Sequence, residues 1–270
     1  MDNGNPIRLR GGVVTLLDPK RGAETSFNRY YEGERFFTAV MLGPGVISGR
    51  RFVARREEKE QRRIFDPSLS KERGSLLNVY WVVGETKPLE EWTVQTVARL
   101  EADGRTNWDR IPYWAWRPSF AWSQTAPPDQ IPAELALNHD YGGLVMALVR
   151  PREPALIGEA AAWYQSECAA PTLGDGSPSK LCVAFEARRR FVPGAPGETT
   201  PKDFPTEDVQ LLLFWFLEDP PDDSWKVIAD RHEAGLRTTD LLSATWMSPF
   251  IATVPGTDRH MDSLWLTEDS

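Results

Sequence analysis

The chain has 270 residues, of which 41% are hydrophobic and 26% charged, with a net charge of −8 and a pI near 5.1. That length allows one large domain or two of about 135 residues, and the acidic balance excludes the basic face that nucleic acid or an anionic membrane surface demands. Two cysteines, Cys168 and Cys182, are too few for a disulfide framework or a thiolate metal cluster. The opening MDNGNPIRLR lacks an apolar secretory core, and no stretch approaches the ~18 apolar residues of a membrane span. A cytoplasmic monomer or homodimer is expected.

Residues 11–17 predict a strand closed by Asp18-Pro19, and 22–42 predict an amphipathic helix ended by Gly43-Pro44-Gly45. Strands follow at 46–55 and 76–83, and the charged stretch 56–73 between them reads as a solvated loop. A second helix at 90–102 stops at Gly104, and an aromatic strand starts near Ile111. Residues 126–141 form a Pro-containing connection that could close as a lid. The order then repeats: strand 144–149, helix 154–168, strand 181–187, a Pro/Gly-rich loop 192–205, and strand 209–217, whose VQLLLFWFL is apolar on both faces. Asp222 or Asp223 caps a last helix with Trp225 in its first turn and Gly235 at its end, and 241–247 is the closing strand.

Each half therefore reads βαββαβ, and residues recur at a spacing of 133: Tyr31 with Tyr164, Glu34 with Glu167, Glu85 with Glu218, Pro88 with Pro221, Trp92 with Trp225. A four-stranded antiparallel sheet with both helices on one face leaves its other face bare. The second copy can cover it. The expected fold class is α+β, two tandem ferredoxin-like βαββαβ repeats (1–128 and 129–270) forming one intramolecular α+β barrel.

The run Leu17-Asp18-Pro19-Lys20-Arg21-Gly22, with Phe27-Asn28-Arg29-Tyr30-Tyr31-Glu32, Pro44-Gly45-Val46 and Arg50-Arg51-Phe52, resembles the first-helix region of EthD-like proteins of the dimeric α+β barrel superfamily. Ser248-Pro249-Phe250, Pro255-Gly256-Thr257-Asp258 and Leu264-Trp265 are similar to segments of the same group. The resemblance implies a ligand cleft between sheet and helices. It leaves activity open, because the superfamily hosts cofactor-free oxygenases, decarboxylases, isomerases, haem enzymes and proteins without known chemistry. Members often carry a histidine after the aromatic-aromatic-acidic run. This chain has Arg35 there in one half and Cys168 in the other, which removes support from a mechanism relying on that histidine.

His232 is the leading acid/base candidate, since imidazole titrates near neutrality and its helical phase with Trp225, Ile228, Ala229 and Leu236 turns it inward. Some haem-binding relatives place an iron ligand on the corresponding helix, so haem on His232 is the alternative to no cofactor. Glu34 falls on the helical face of Phe27, where burial would raise its pKa; His139 precedes Asp140 in the connection; Arg35 and Arg117 are suited to polarise a carboxylate or phenolate. Tyr31, Tyr113, Trp114, Trp116, Trp246 and Phe250 could line a cleft for a flat apolar or aromatic molecule, with Trp114 and Trp116 on one strand face and Tyr113 on the other. P-loop, dinucleotide-glycine, HExxH and GxSxG motifs are absent, and three scattered histidines do not suggest a metal site. The expected function is a cofactor-independent lyase, decarboxylase, isomerase or oxygenase acting on an aromatic or polyketide-like molecule. The alternative is a non-catalytic small-molecule-binding protein. The second half, which holds His232, is expected to carry the site.

Overall fold

A computed structural model describes residues 7–127, 131–188, 190, 198 and 209–266. Gly11–Pro19 is β1, and α1 (Glu24–Tyr30) runs directly into a π-helix, Tyr31–Met41. The wider turn shows at its end, where Leu42 N–H donates to the Phe37 carbonyl five residues back, at 3.0 Å. Gly45, at φ +77°, then turns the chain into β2 (Val46–Val53). Next come α2 (Arg56–Glu60), β3 (Arg63–Ile64), β4 (Leu76–Val82) and α3 (Thr86–Ala102). The aromatic strand is two strands, β5 (Arg110–Trp116) and β6 (Ser119–Thr125), parted by Pro118.

In the second half, β7 (Gly143–Pro151) leads into α4 (Ile157–Tyr164), a π-turn at Gln165–Ala169 and α5 (Ala170–Leu173). Then follow β8 (Ser179–Arg188), β9 (Val209–Leu217), α6 (Lys226–Leu236) and β10 (Leu242–Ala252). Asp222 caps the entry to α6 as expected, accepting from Ser224 N–H at 2.7 Å. The expected 128/129 boundary, and nearly all of the loop 192–205, lie outside the described residues.

Every strand pairing is antiparallel, in the orders β5-β1-β4-β2 and β10-β7-β9-β8. The last strand of each half reaches the second strand of the other: Ile251 and Ala252 of β10 pair with Val53 and Phe52 of β2, and β6 pairs with β8 from Ser119↔Glu186 to Thr125↔Leu181. With Gly11 of β1 bridged to Ser119, the sheet closes on itself.

Alternation sorts the core into an inside and an outside. In β9, Leu212, Phe214 and Phe216 point into the barrel, while Leu211, Leu213, Trp215 and Leu217 pack beneath α4 and α6. In β4, Leu77, Val79 and Trp81 face inward, and Tyr80 and Val82 lie under the first-half helices. This two-sided burial is why both strands read as continuous apolar runs.

One expectation fails clearly. The first part of the charged stretch 56–73 is no solvated loop: it folds as α2 and β3, and β3 pairs with Trp246 and Met247 of β10, while 65–73 remains largely exposed loop. Glu58, Lys59 and Arg62 are buried within it. Arg62 lies over the rings of Trp246 (5.2 Å) and Phe250 (5.8 Å) and donates to Ser248 Oγ and the Lys71, Arg73 and Gly74 carbonyls. A guanidinium with that many acceptors tolerates burial, which lowers its pKa to about 10.

Candidate functional site

On the helix side of the first-half sheet, the hydroxyls of Tyr31 (π-helix) and Tyr80 (β4) meet at 3.4 Å, both buried. Strand alternation sends Tyr80 and Arg51 outward from the barrel toward this helix. Burial, and then the neighbouring Tyr31, hold the Tyr80 pKa well above its ordinary value, so the phenol stays protonated and can donate. Arg51 lies over the Tyr31 ring at 4.8 Å and is only 4% exposed. Its Nε donates to Asn78 Oδ1 (3.1 Å) and one terminal nitrogen to Asn28 Oδ1 (2.8 Å) and Glu32 Oε1 (2.9 Å), which fixes the fork. The other terminal nitrogen has no hydrogen-bond partner among the described residues.

Arg51 is part of the wall of a cavity of about 560 Å³, within the range of small-molecule sites. Phe36, Phe37 and Met41 of the π-helix supply one apolar wall; Ala252, Thr253, Val254 and Pro255 after β10 supply another. Gly49 lies on its β2 side, where a Cβ would come within 2.6 Å of Met41 and 2.7 Å of Tyr80. Asp140, Tyr141 and Gly142 close one edge. Arg50 secures that edge by donating to the His139 carbonyl and, at 2.8 Å, to the Tyr141 carbonyl. Asp140 and Tyr141, the end of the connection, thus form part of the cavity edge.

Behind the tyrosine pair stands a group of like charges. Arg35, on the π-helix, is within electrostatic reach of Tyr80, Arg110 and Arg117. Burial lowers Arg117 to about 10, with Arg190 and Arg35 pushing the same way; burial and then Arg35 do the same to Arg110. Tyr31 is felt by both. Arg117 Nε is buried without a hydrogen-bond partner among the described residues. Of the sequence candidates, the fold therefore brings Tyr31, Arg35 and Arg117 together. Arg51 and Tyr80 were missed; their signal was an arginine and a tyrosine at outward positions of neighbouring strands.

The other candidates go elsewhere. Glu34 is not buried: it pairs with Arg105 at 2.6 Å on the surface, and its counterpart Glu167 is exposed. The reason is the π-helix, whose longer turn rotates every residue after Tyr31 off the face that an α-helical count assigns. The His139 imidazole sits 3.3 Å from Glu218 and against Tyr141, outside the cavity lining. Trp116, Trp246 and Phe250 are fully packed inside the barrel, so they form core and not a cleft. Trp114 and Tyr113 line a separate cavity at the barrel mouth.

His232 does point inward, but into packed core. It is wholly buried, Nδ1 shares a 2.6 Å hydrogen bond with the Tyr164 hydroxyl, and Trp215 lies edge-on at 5.6 Å. Burial, and then Arg63, lower its pKa to about 3, so it is neutral near pH 7 and has no proton to give. Its Nε2 lacks a partner, as an axial ligand's would, yet it lines neither cavity and abuts Trp215 and Tyr164. Haem, which needs several hundred Å³ beside that nitrogen, does not fit these residues as packed. Among the described residues no group of three or more His, Cys, Asp or Glu is placed to hold a metal ion. Both cysteines are buried thiols, Cys168 raised by that burial to about 11, as expected of packing residues. No described helix is long and apolar enough to cross a membrane.

No family model and no curated protein sequence matches the chain. Solved structures do, at the level of fold. An anthrone oxidase-like protein is 12% identical with a TM-score of 0.51 over 94% of this chain and 98% of its own. A candidate chlorite dismutase is 11% identical with a TM-score of 0.53 over 93% and 97%. A dye-decolorizing peroxidase from Bacteroides thetaiotaomicron is 8% identical with a TM-score of 0.50 over 95% and 96%. These likenesses span nearly the whole chain, and with the strand order above they show an α+β barrel of ferredoxin-like halves.

Proposed function

We propose that the chain is a cofactor-independent enzyme acting on an aromatic or polyketide-like small molecule that turns anionic during reaction, bound in the first-half cleft. The observation that carries this reading is Arg51, a buried guanidinium fixed by three side chains with one nitrogen left over, on the wall of an apolar cavity and over the ring of Tyr31, whose hydroxyl meets that of Tyr80. Donors preset around developing negative charge are the largest single source of catalysis in many enzymes. Here the charge is a phenolate or enolate oxygen, or the carboxylate of a decarboxylating acid. In the last case the C–C bonding pair passes to the ring carbon, CO2 leaves, and the tyrosine pair returns a proton, replenished from water. Arg35 and Arg117 favour the same anion from behind. The apolar walls of Phe36, Phe37 and Val254 suit a flat, largely apolar body. That the structural neighbours include an oxidase-like protein, a candidate dismutase and a peroxidase supports an enzymatic reading over passive storage.

The test is a screen of hydroxyaromatic acids and β-diketones for consumption by the purified protein, followed by Tyr31→Phe, Tyr80→Phe and Arg51→Lys. Turnover should fall about 10²-fold in Arg51→Lys, which keeps charge but loses the fork. Undiminished turnover in these variants, each folded by circular dichroism, would remove the cleft from the mechanism. Ligand binding without any turnover would return the protein to the non-catalytic reading.

A further inference from the structure

The second cavity, about 410 Å³, opens at the mouth of the barrel between β1, β5 and residues 68–73, and shares no lining residue with the cleft. A β-bulge builds it. Leu16 pairs with Trp114 but Leu17 with Pro112, so Tyr113 is an extra residue with no partner on β1. Strict alternation would put Tyr113 and Trp114 on opposite faces; the bulge turns both rings to the same cavity, a device common at barrel rims and beside binding sites. Each ring is then held. The Tyr113 hydroxyl bonds to the buried Asp18, whose carboxylate also takes Gly74 N–H (2.9 Å), Ser75 N–H (2.6 Å) and the Ser75 hydroxyl. Trp114 rests edge-on against Trp246 at 5.4 Å.

The chemistry of the lining is one-sided. Arg73 lies 5.4 Å over the Tyr113 ring, and among the described residues it is the single cation of the lining, with no carboxylate beside it there. Of the carboxylates around it, Asp18 is engaged as above, Asp66 accepts from the Ser68 N–H and hydroxyl, and Glu72 faces Arg21 at 3.8 Å and accepts from the Leu266 N–H. Ser70 Oγ accepts from Glu72 N–H, which leaves its O–H free to donate into the site. Two aromatic walls, one stacked guanidinium and one hydroxyl donor match a flat ring bearing an anionic group.

We infer that the barrel mouth is a second small-molecule site, for a planar aromatic carboxylate, separate from the cleft around Arg51. The probe is 1-naphthoate, followed by isothermal titration and Trp fluorescence, with the neutral amide 1-naphthamide as control. Arg73→Gln, at an exposed side chain, should weaken naphthoate about tenfold and leave naphthamide unchanged, and Tyr113→Leu should weaken both. Arg51→Lys should leave this binding intact. Binding unaffected by Arg73→Gln and Tyr113→Leu, or no saturable binding at millimolar probe, overturns the inference. Cleft turnover undiminished by Arg51→Lys, with mouth binding lost in Arg73→Gln, sinks only the proposed function, so the two failures are distinct.

Discussion

His232 shows how a correct inward phase can still mislead. The helical spacing with Trp225, Ile228 and Leu236 turns it to the sheet, but on this half the space between sheet and helix is filled by Tyr164, Trp215 and their neighbours. Its pKa in the folded chain is lowered from 6.5 to about 3, so the stability it contributes is full above pH 6.5 and is lost as pH falls through about 3. Thermal melts should show the wild type losing more stability than His232→Gln between pH 6.5 and 4, with the pH profile of turnover unchanged by the substitution. Haem titration should produce no Soret band that depends on His232. A Soret band lost in His232→Gln would mean that the packed core opens to admit haem. Lys59 gives a test of the same sign at alkaline pH. Its Nζ is buried under Trp265 (5.1 Å) with no hydrogen-bond partner among the described residues, and burial lowers it from 10.5 to about 8 despite attraction from Asp18 and Glu72. The folded chain binds fewer protons there than the unfolded one, so stability rises with pH from about 8 to 10.5 and is reduced below that window. Lys59→Met should raise Tm at pH 7 and flatten the rise toward pH 10; a lower Tm at pH 7 would show that the nearby acids outweigh desolvation.

At the scale of elements, α2 and β3 act as a cap on the barrel, and Arg62 is its pin. Arg62→Met leaves three carbonyls and Ser248 short of their donor, and should cost about 3 kcal/mol in urea unfolding; a cost below 1 kcal/mol would mean the cap is held by β3 pairing alone. This cap was illegible because a run of Arg, Glu and Lys has the composition of a solvated face, and only the tertiary acceptors make its burial tolerable. The strands, by contrast, were plain: Asp18-Pro19, Gly43-Pro44-Gly45 and the two-sided apolar run of β9 are local signals, and a closed sheet respects them. Where local periodicity departs from 3.6 or 2, the sequence count fails. The π-helix carried Glu34 off its expected face to Arg105, and the β5 bulge brought Tyr113 beside Trp114. Both irregularities lie next to the cavities, so the parts of the site that could not be read from spacing are those the irregularities built. Tyr31, Arg35 and Arg117 stand out by chemistry whatever the phase, and the fold sets them near one another. Arg51 was passed over as one of a basic run.

As a whole, the molecule is two βαββαβ halves whose bare sheet faces make one interior, with Trp81, Phe185 and Phe214 in mutual contact across it. Halves expressed apart, cut between 128 and 129, would each expose that face. Each alone should aggregate or self-associate, and the two together should recover a folded complex by size-exclusion chromatography; a stable monomeric half would contradict the shared core. Function is not shared in the same way. The second half packs its sheet–helix space around Tyr164 and His232, while the first keeps a cavity at the equivalent helix, so the site proposed here lies in the half without the histidine. The most direct test is a crystal structure of the protein with a bound hydroxyaromatic acid. The ligand's anionic oxygens should lie within hydrogen-bond distance of the free terminal nitrogen of Arg51, with its ring between Phe36 and Val254. A ligand seated against His232 in the second half, with the first-half cleft empty, would contradict the account.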